Sequence, residues 1–220
     1  MLRRLRPNSK IAGRYIVSSN SPIHPGKVAW TGENPGIYLK ETQDGAWTGL
    51  MCFFRVLYSD HGMGTGIVVL DQPGVAQGYP AVLNFCISDN ERLARYLIDE
   101  FFSKFASFRV SPGIQAVTHL SMVESRREGS TSSTYSEIVC STDIEVVATW
   151  KKLGPAYAVD MPAENGPTKL HQMYSLFLDA GEGLITINGR PLAGKVVQRD
   201  FAGTRKSTAF LAFSESWMRV

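Results

Sequence analysis

Between Ser88 and Phe108 the apolar residues Leu93, Leu97, Phe101 and Phe105 recur every four positions, flanked by Ala94, Ile98 and Phe102. Arg92, Arg95, Asp99, Ser103 and Lys104 occupy the opposite side. A period near 3.6 is helical. Ser88-Asp89-Asn90-Glu91 has the spacing of a capping box, in which the Ser88 hydroxyl and the Glu91 carboxylate would satisfy two orphan amides. The pattern therefore predicts one main amphipathic helix over about 88–108.

The rest of the chain alternates with period two or runs apolar for short stretches between turn residues, which predicts about twelve strands. Asp44-Gly45 and Asn188-Gly189 mark hairpin turns. In the run from Trp47 to Tyr58 both alternation sets are largely apolar, and Phe210 and Ala212 likewise oppose Leu211 and Phe213. Such strands need cover on both faces. A helix on one side and an opposing sheet or a barrel interior on the other would supply it. Ile144, Val146, Ala148 and Trp150, alternating with Glu145, Val147, Thr149 and Lys151, read instead as a half-exposed strand. The expected class is α+β, predominantly antiparallel β, barrel-like or built as two packed sheets, closed by the one helix.

Length and composition place this chain as a single domain over 1–220. Its 44% apolar and 20% charged residues allow a substantial core. No apolar run is long enough to span a bilayer. The basic start, Met1 to Pro7, is not followed by the apolar stretch of a secretory signal, so the expected location is cytoplasmic. Dividing the net charge of +3 changes its meaning. Six basic residues and no carboxylate precede Glu33, leaving 17 basic against 20 acidic side chains in residues 33–220. Residues 1–14 read as a basic arm on a slightly acidic body. A nucleic-acid binder would spread its positive charge over the domain, so neither nucleic acid nor membrane is expected as a partner.

No motif of a known chemistry is present. Gly62-Met63-Gly64-Thr65-Gly66 precedes an apolar strand where a phosphate loop needs a helix, and it reads as a hairpin loop. Cys52, Cys86 and Cys140 lack metal-type spacing and read as buried free thiols. The paired histidines and glutamate of a metal-dependent barrel enzyme are not visible, and no metal or cofactor is implied.

Arg55 stands out, because it interrupts a strand whose two faces both look buried. A guanidinium there needs an internal carboxylate such as Glu137 or Asp160, or an anionic ligand held bidentately. His119 and His171 lie on strand faces with apolar neighbours. If both faced one cavity they would offer acid–base chemistry near neutral pH, with Glu137, Glu124 and Tyr174 as companions. The expected site is thus catalytic His119 and His171 with ligand-binding Arg55, Tyr174 and Glu137. The function expected is binding of a small, largely apolar, anionic ligand in a sheet-lined pocket, extending to a cofactor-independent lyase, isomerase or cyclase. The alternative is a non-catalytic protein whose apolar strand faces bury a homo-oligomer interface.

Overall fold

One strand of 17 residues organises the chain by belonging to two layers at once. A computed structural model describes residues 23–24 and 26–220, so the basic arm at 1–14 lies outside the described residues. The strands in chain order are β1 (Val28–Glu33), β2 (Gly36–Lys40), β3 (Trp47–Ser59), β4 (Gly64–Leu70) and β5 (Asn84–Ser88). Helices α1 (Glu91–Glu100) and α2 (Ala106–Arg109) follow. Then come β6 (Thr118–Ser121), β7 (Glu124–Gly129), β8 (Thr134–Cys140), β9 (Glu145–Leu153), β10 (Tyr157–Met161) and β11 (His171–Ile187). The chain closes with β12 (Arg190–Pro191), β13 (Gln198–Phe201), β14 (Thr204–Ser207) and β15 (Ala209–Arg219).

The strand path runs β6-β5-β4-β3-β1-β15-β11-β9-β8-β7, with β2, β10 and β12 attached and β13-β14 a separate hairpin. Strands hold 54% of the described residues and helices 11%, so the chain adopts the α+β, mainly antiparallel class that its pattern predicts. Among the described residues, only β5 and β6 pair in parallel. The first half of β11 pairs with β15 and β10, and the second half pairs with β9 and β12. The sheet therefore folds over near Ala180.

That fold answers what covers the two-sided strands. Leu50, Cys52, Phe54 and Val56 of β3 pack under the helices with Leu93, Leu97, Phe101 and Phe102. Met51 and Phe53, from the other alternation set, pack with Tyr135, Val139, Val146, Ala148 and Trp150 of the second layer. Phe210 and Ala212 join the first cluster, and Leu211 joins the second with Phe213 packed against it. The Trp150 indole N–H donates to the Gly36 carbonyl at 3.0 Å and ties the layers together. The Asn188-Gly189 turn has positive φ at both residues, 50° and 76°, as a two-residue hairpin of this twist requires.

The helical segment is shorter and more broken than its periodicity implies. Asn90, not Ser88, is the N-cap, and its side chain accepts from the Leu93 amide at 3.1 Å. Ser88 ends β5, and Glu91 pairs with Arg95 one turn along rather than reaching back. After Glu100 the chain turns through a short 3-10 stretch, Phe102–Lys104, before α2. Phe101, Phe102 and Phe108 are all fully buried. A straight helix would turn Phe102 about 100° away from the face shared by Phe101 and Phe108, so the breaks let all three rings reach the sheet. They also leave part of the first layer uncovered beyond Phe101.

Candidate functional site

The uncovered part of the first layer is a pocket of about 380 Å³. Lys104, Phe105 and Arg109 from the broken helical segment form one side, and Arg199 and Phe201 of the β13-β14 hairpin form another. Its floor is the sheet: Asn34, Tyr38, Met173, Phe177, Phe210, Glu215 and Trp217. The walls are aromatic. Tyr38 meets Phe108 and Phe210 edge-on, each at 5.5 Å, and Phe177 lies 5.1 Å from Phe201.

Two polar groups inside it are unusual. Glu215 is 2% exposed and points among apolar residues. Its Oε1 accepts from the Trp217 indole at 2.6 Å and from Asn34 Nδ2 at 3.1 Å. Burial pushes its pKa up to about 7, against the lowering effect of Trp217, Asn34 and Ser175. A carboxyl near half protonation can give or take a proton at neutral pH. Local chain geometry explains how a glutamate came to face inward. Ser214 has φ of +51°, and the pairing of β15 with β11 shifts register there. The resulting bulge moves Glu215 and Trp217 to the face of Phe210 and Ala212, which strict alternation would deny them.

Arg199 is the second. Its guanidinium lies over the rings of Phe210, Phe201 and Tyr38 at 4.5, 4.9 and 5.5 Å. No carboxylate among the described residues pairs with it, and its buried Nε has no hydrogen-bond partner. Four cations, Lys104, Arg109, Lys169 and Arg199, line this pocket against two carboxylates, Asp200 and the partly neutral Glu215. Tyr38, buried between these groups, has its pKa raised, chiefly by burial.

None of the residues expected from the sequence lines this pocket. Arg55 is answered internally. Its Nη2 meets Glu137 Oε2 at 3.0 Å, and it also pairs with Glu33, while Arg127 bridges the same two carboxylates. The Tyr135 hydroxyl donates to Glu137 Oε1 at 2.6 Å, completing a cluster that joins β1 and β3 to β7 and β8. Asp160 instead accepts from Gln172, which also reaches the Tyr174 hydroxyl. Tyr174 thus lies on the opposite side of β11 from Met173 and Phe177. His171 is buried against Phe101, with its Nδ1 3.1 Å from the Thr168 hydroxyl. His119 lies on β6 near Arg95 and Glu91 of α1. Burial lowers the pKa of both histidines, so both are neutral at pH 7. Burial pushes the Cys52 and Cys86 thiols up to about 12, so neither is a nucleophile.

Glu215, Asn34 and Arg199 escaped the sequence reading for separate reasons. Asn34 sits in Glu-Asn-Pro-Gly, which reads as turn chemistry. Arg199 falls in an ordinary mixed strand. Glu215, a carboxylate between Phe213 and Trp217, carried the same signal as Arg55.

Among the described residues there is no cluster of three or more His, Cys, Asp or Glu able to hold a metal, and no helix long and apolar enough to cross a membrane. Comparison with protein families, curated proteins and solved structures gives no significant match.

Proposed function

We propose that this protein binds a small amphipathic anion, an apolar body bearing a carboxylate, in the pocket between the helical segment and the first sheet layer. The observation that carries this reading is Arg199: a cation held on three aromatic rings, with no carboxylate paired to it among the described residues, in an aromatic pocket with a basic rim. A carboxylate would receive the free guanidinium donors, while the aromatic walls would take the apolar body. The volume falls within the range of small-molecule sites.

The apolar strand faces that an interchain interface would have to bury are already covered within the chain, by the helices on one side and the second layer on the other. This removes the main motive for the homo-oligomeric reading. Lyase, isomerase or cyclase chemistry has one candidate group in the pocket, Glu215. With a turned-over substrate, it would show as lost turnover with binding retained in Glu215→Gln.

Trp47 and Trp217 line the pocket and report occupancy directly. Titration with dodecanoate should change their fluorescence and saturate at about micromolar ligand, whereas dodecylamine should produce no saturable change. Arg199→Gln should weaken dodecanoate about 30-fold, as loss of a charge-assisted contact does. Equal binding of acid and amine, or an unaffected variant, would contradict the reading.

A further inference from the structure

We infer that the ligand carries a hydroxyl group on its apolar body, received by Asn34 and Glu215 at a second polar subsite away from Arg199. The inference rests on the proposed binding of an amphipathic anion in this pocket and specifies the ligand's other end.

Asn34 is 3% exposed and lines the pocket floor. Its Nδ2 is committed to Glu215, while its buried Oδ1 has no hydrogen-bond partner. A buried amide oxygen without a donor is unfavourable, so native interiors rarely keep one. Turning the amide over does not help, because it would set two acceptors together when Glu215 is ionised and in either state orphan the N–H₂ end instead. The backbone around it is fixed: the Asn34 N–H donates to the Ala212 carbonyl at 2.9 Å, and Pro35 follows. The oxygen therefore stays directed at the pocket.

Glu215 adds the complementary half. The Asn34 and Trp217 bonds both fall on Oε1, and Ser175 also approaches the carboxyl. A hydroxyl can donate its one proton to Asn34 Oδ1 while its oxygen accepts from Glu215 in the protonated form. A second carboxylate would be repelled by ionised Glu215, and a methyl group would leave Asn34 Oδ1 unsatisfied.

The two polar subsites are set apart by the sheet. Arg199 lies over Phe210, and Glu215 is five residues further along β15. At ~3.3 Å per residue five residues make about 16 Å of strand, which the bulge at Ser214 shortens. The ligand class is accordingly a hydroxylated carboxylic acid with its two polar groups separated by an extended apolar stretch.

The test compares ω-hydroxydodecanoate with dodecanoate by calorimetry on the full chain. The hydroxy acid should bind at least about tenfold tighter, because a site built to receive a hydroxyl penalises its absence. Asn34→Leu should abolish that preference, read as the ratio of the two affinities in the variant. Should Asn34→Leu fail to fold, Asn34→Ser serves: it keeps a polar atom too short to bridge and should shrink the preference. If both acids bind equally, the hydroxyl inference is overturned and the anion reading stands. If neither binds, the anion reading fails and takes this inference with it.

Discussion

Glu137→Ala should lower unfolding stability by about 3 kcal/mol, a substantial part of the ~5–15 kcal/mol that holds a typical domain together. Glu137 is fully buried and is the shared acceptor for Arg55, Arg127 and the Tyr135 hydroxyl. Removing it leaves two guanidinium groups facing one remaining carboxylate, Glu33. Breaking one partner of a buried ionic cluster is far costlier than the cluster's net contribution, because the survivors stay where they are. The Arg55 and Arg127 side chains are 26% and 42% exposed, so solvent partly screens the freed charges and holds the loss to the lower end of the range. Glu33→Ala leaves the Arg55–Glu137 fork intact and should cost no more than about 1 kcal/mol. Urea unfolding of the two variants settles the ordering. Equal losses, or an unaffected Glu137→Ala, would mean that the cluster does not join the two layers energetically.

Glu215→Gln should have the opposite effect, making the protein more stable above neutral pH. Glu215 keeps its proton to about pH 7 in the folded chain against an ordinary value of 4.5. The folded state therefore binds more protons than the unfolded one across that window, and stability falls as pH rises through it. At ~1.4 kcal/mol per pH unit, the rise from 4.5 to about 7 amounts to about 3 kcal/mol lost by pH 8. Glutamine keeps the shape and an oxygen acceptor for Trp217 but has no proton to lose. The variant should show a flatter profile between pH 4.5 and 7 and exceed the wild type at pH 8. Parallel profiles for the two proteins would place the Glu215 titration elsewhere. A stability deficit of this kind, concentrated in a pocket, is what a site retained for binding or proton transfer leaves in a fold.

The same physical signal, a charge inside an apolar strand, led to different outcomes at two positions. Arg55 interrupts β3, and the internal partner considered for it, Glu137, is one of the two it has, Glu33 being the other. Glu215 interrupts β15 in the same manner, but its direction depends on the bulge at Ser214, and a bulge shifts the side-chain period without marking the sequence. The main helix, the two-sided strands and the hairpin turns were legible because periodicity and turn chemistry are local. What covers the second face was not, since it depends on β11 folding over from one partner set to another. His171 shares a face with Met173 and Phe177 as alternation predicts, and those two residues do line the pocket. His171 itself is sealed under Phe101. The break after Glu100, which opens the pocket, follows from three phenylalanines competing for one sheet, a tertiary demand that overrides the helical period.

The pocket on the helix side of the first layer should hold its ligand's carboxylate at Arg199. The most direct measurement is a crystal structure with dodecanoate brominated at its terminal carbon, whose anomalous signal fixes the chain's direction. The carboxylate should lie on the Arg199 guanidinium and the bromine deep among Met173, Trp217 and Glu215. Bromine in the reverse orientation, or the acid seated at the Glu33–Arg55 cluster with the pocket empty, would contradict it.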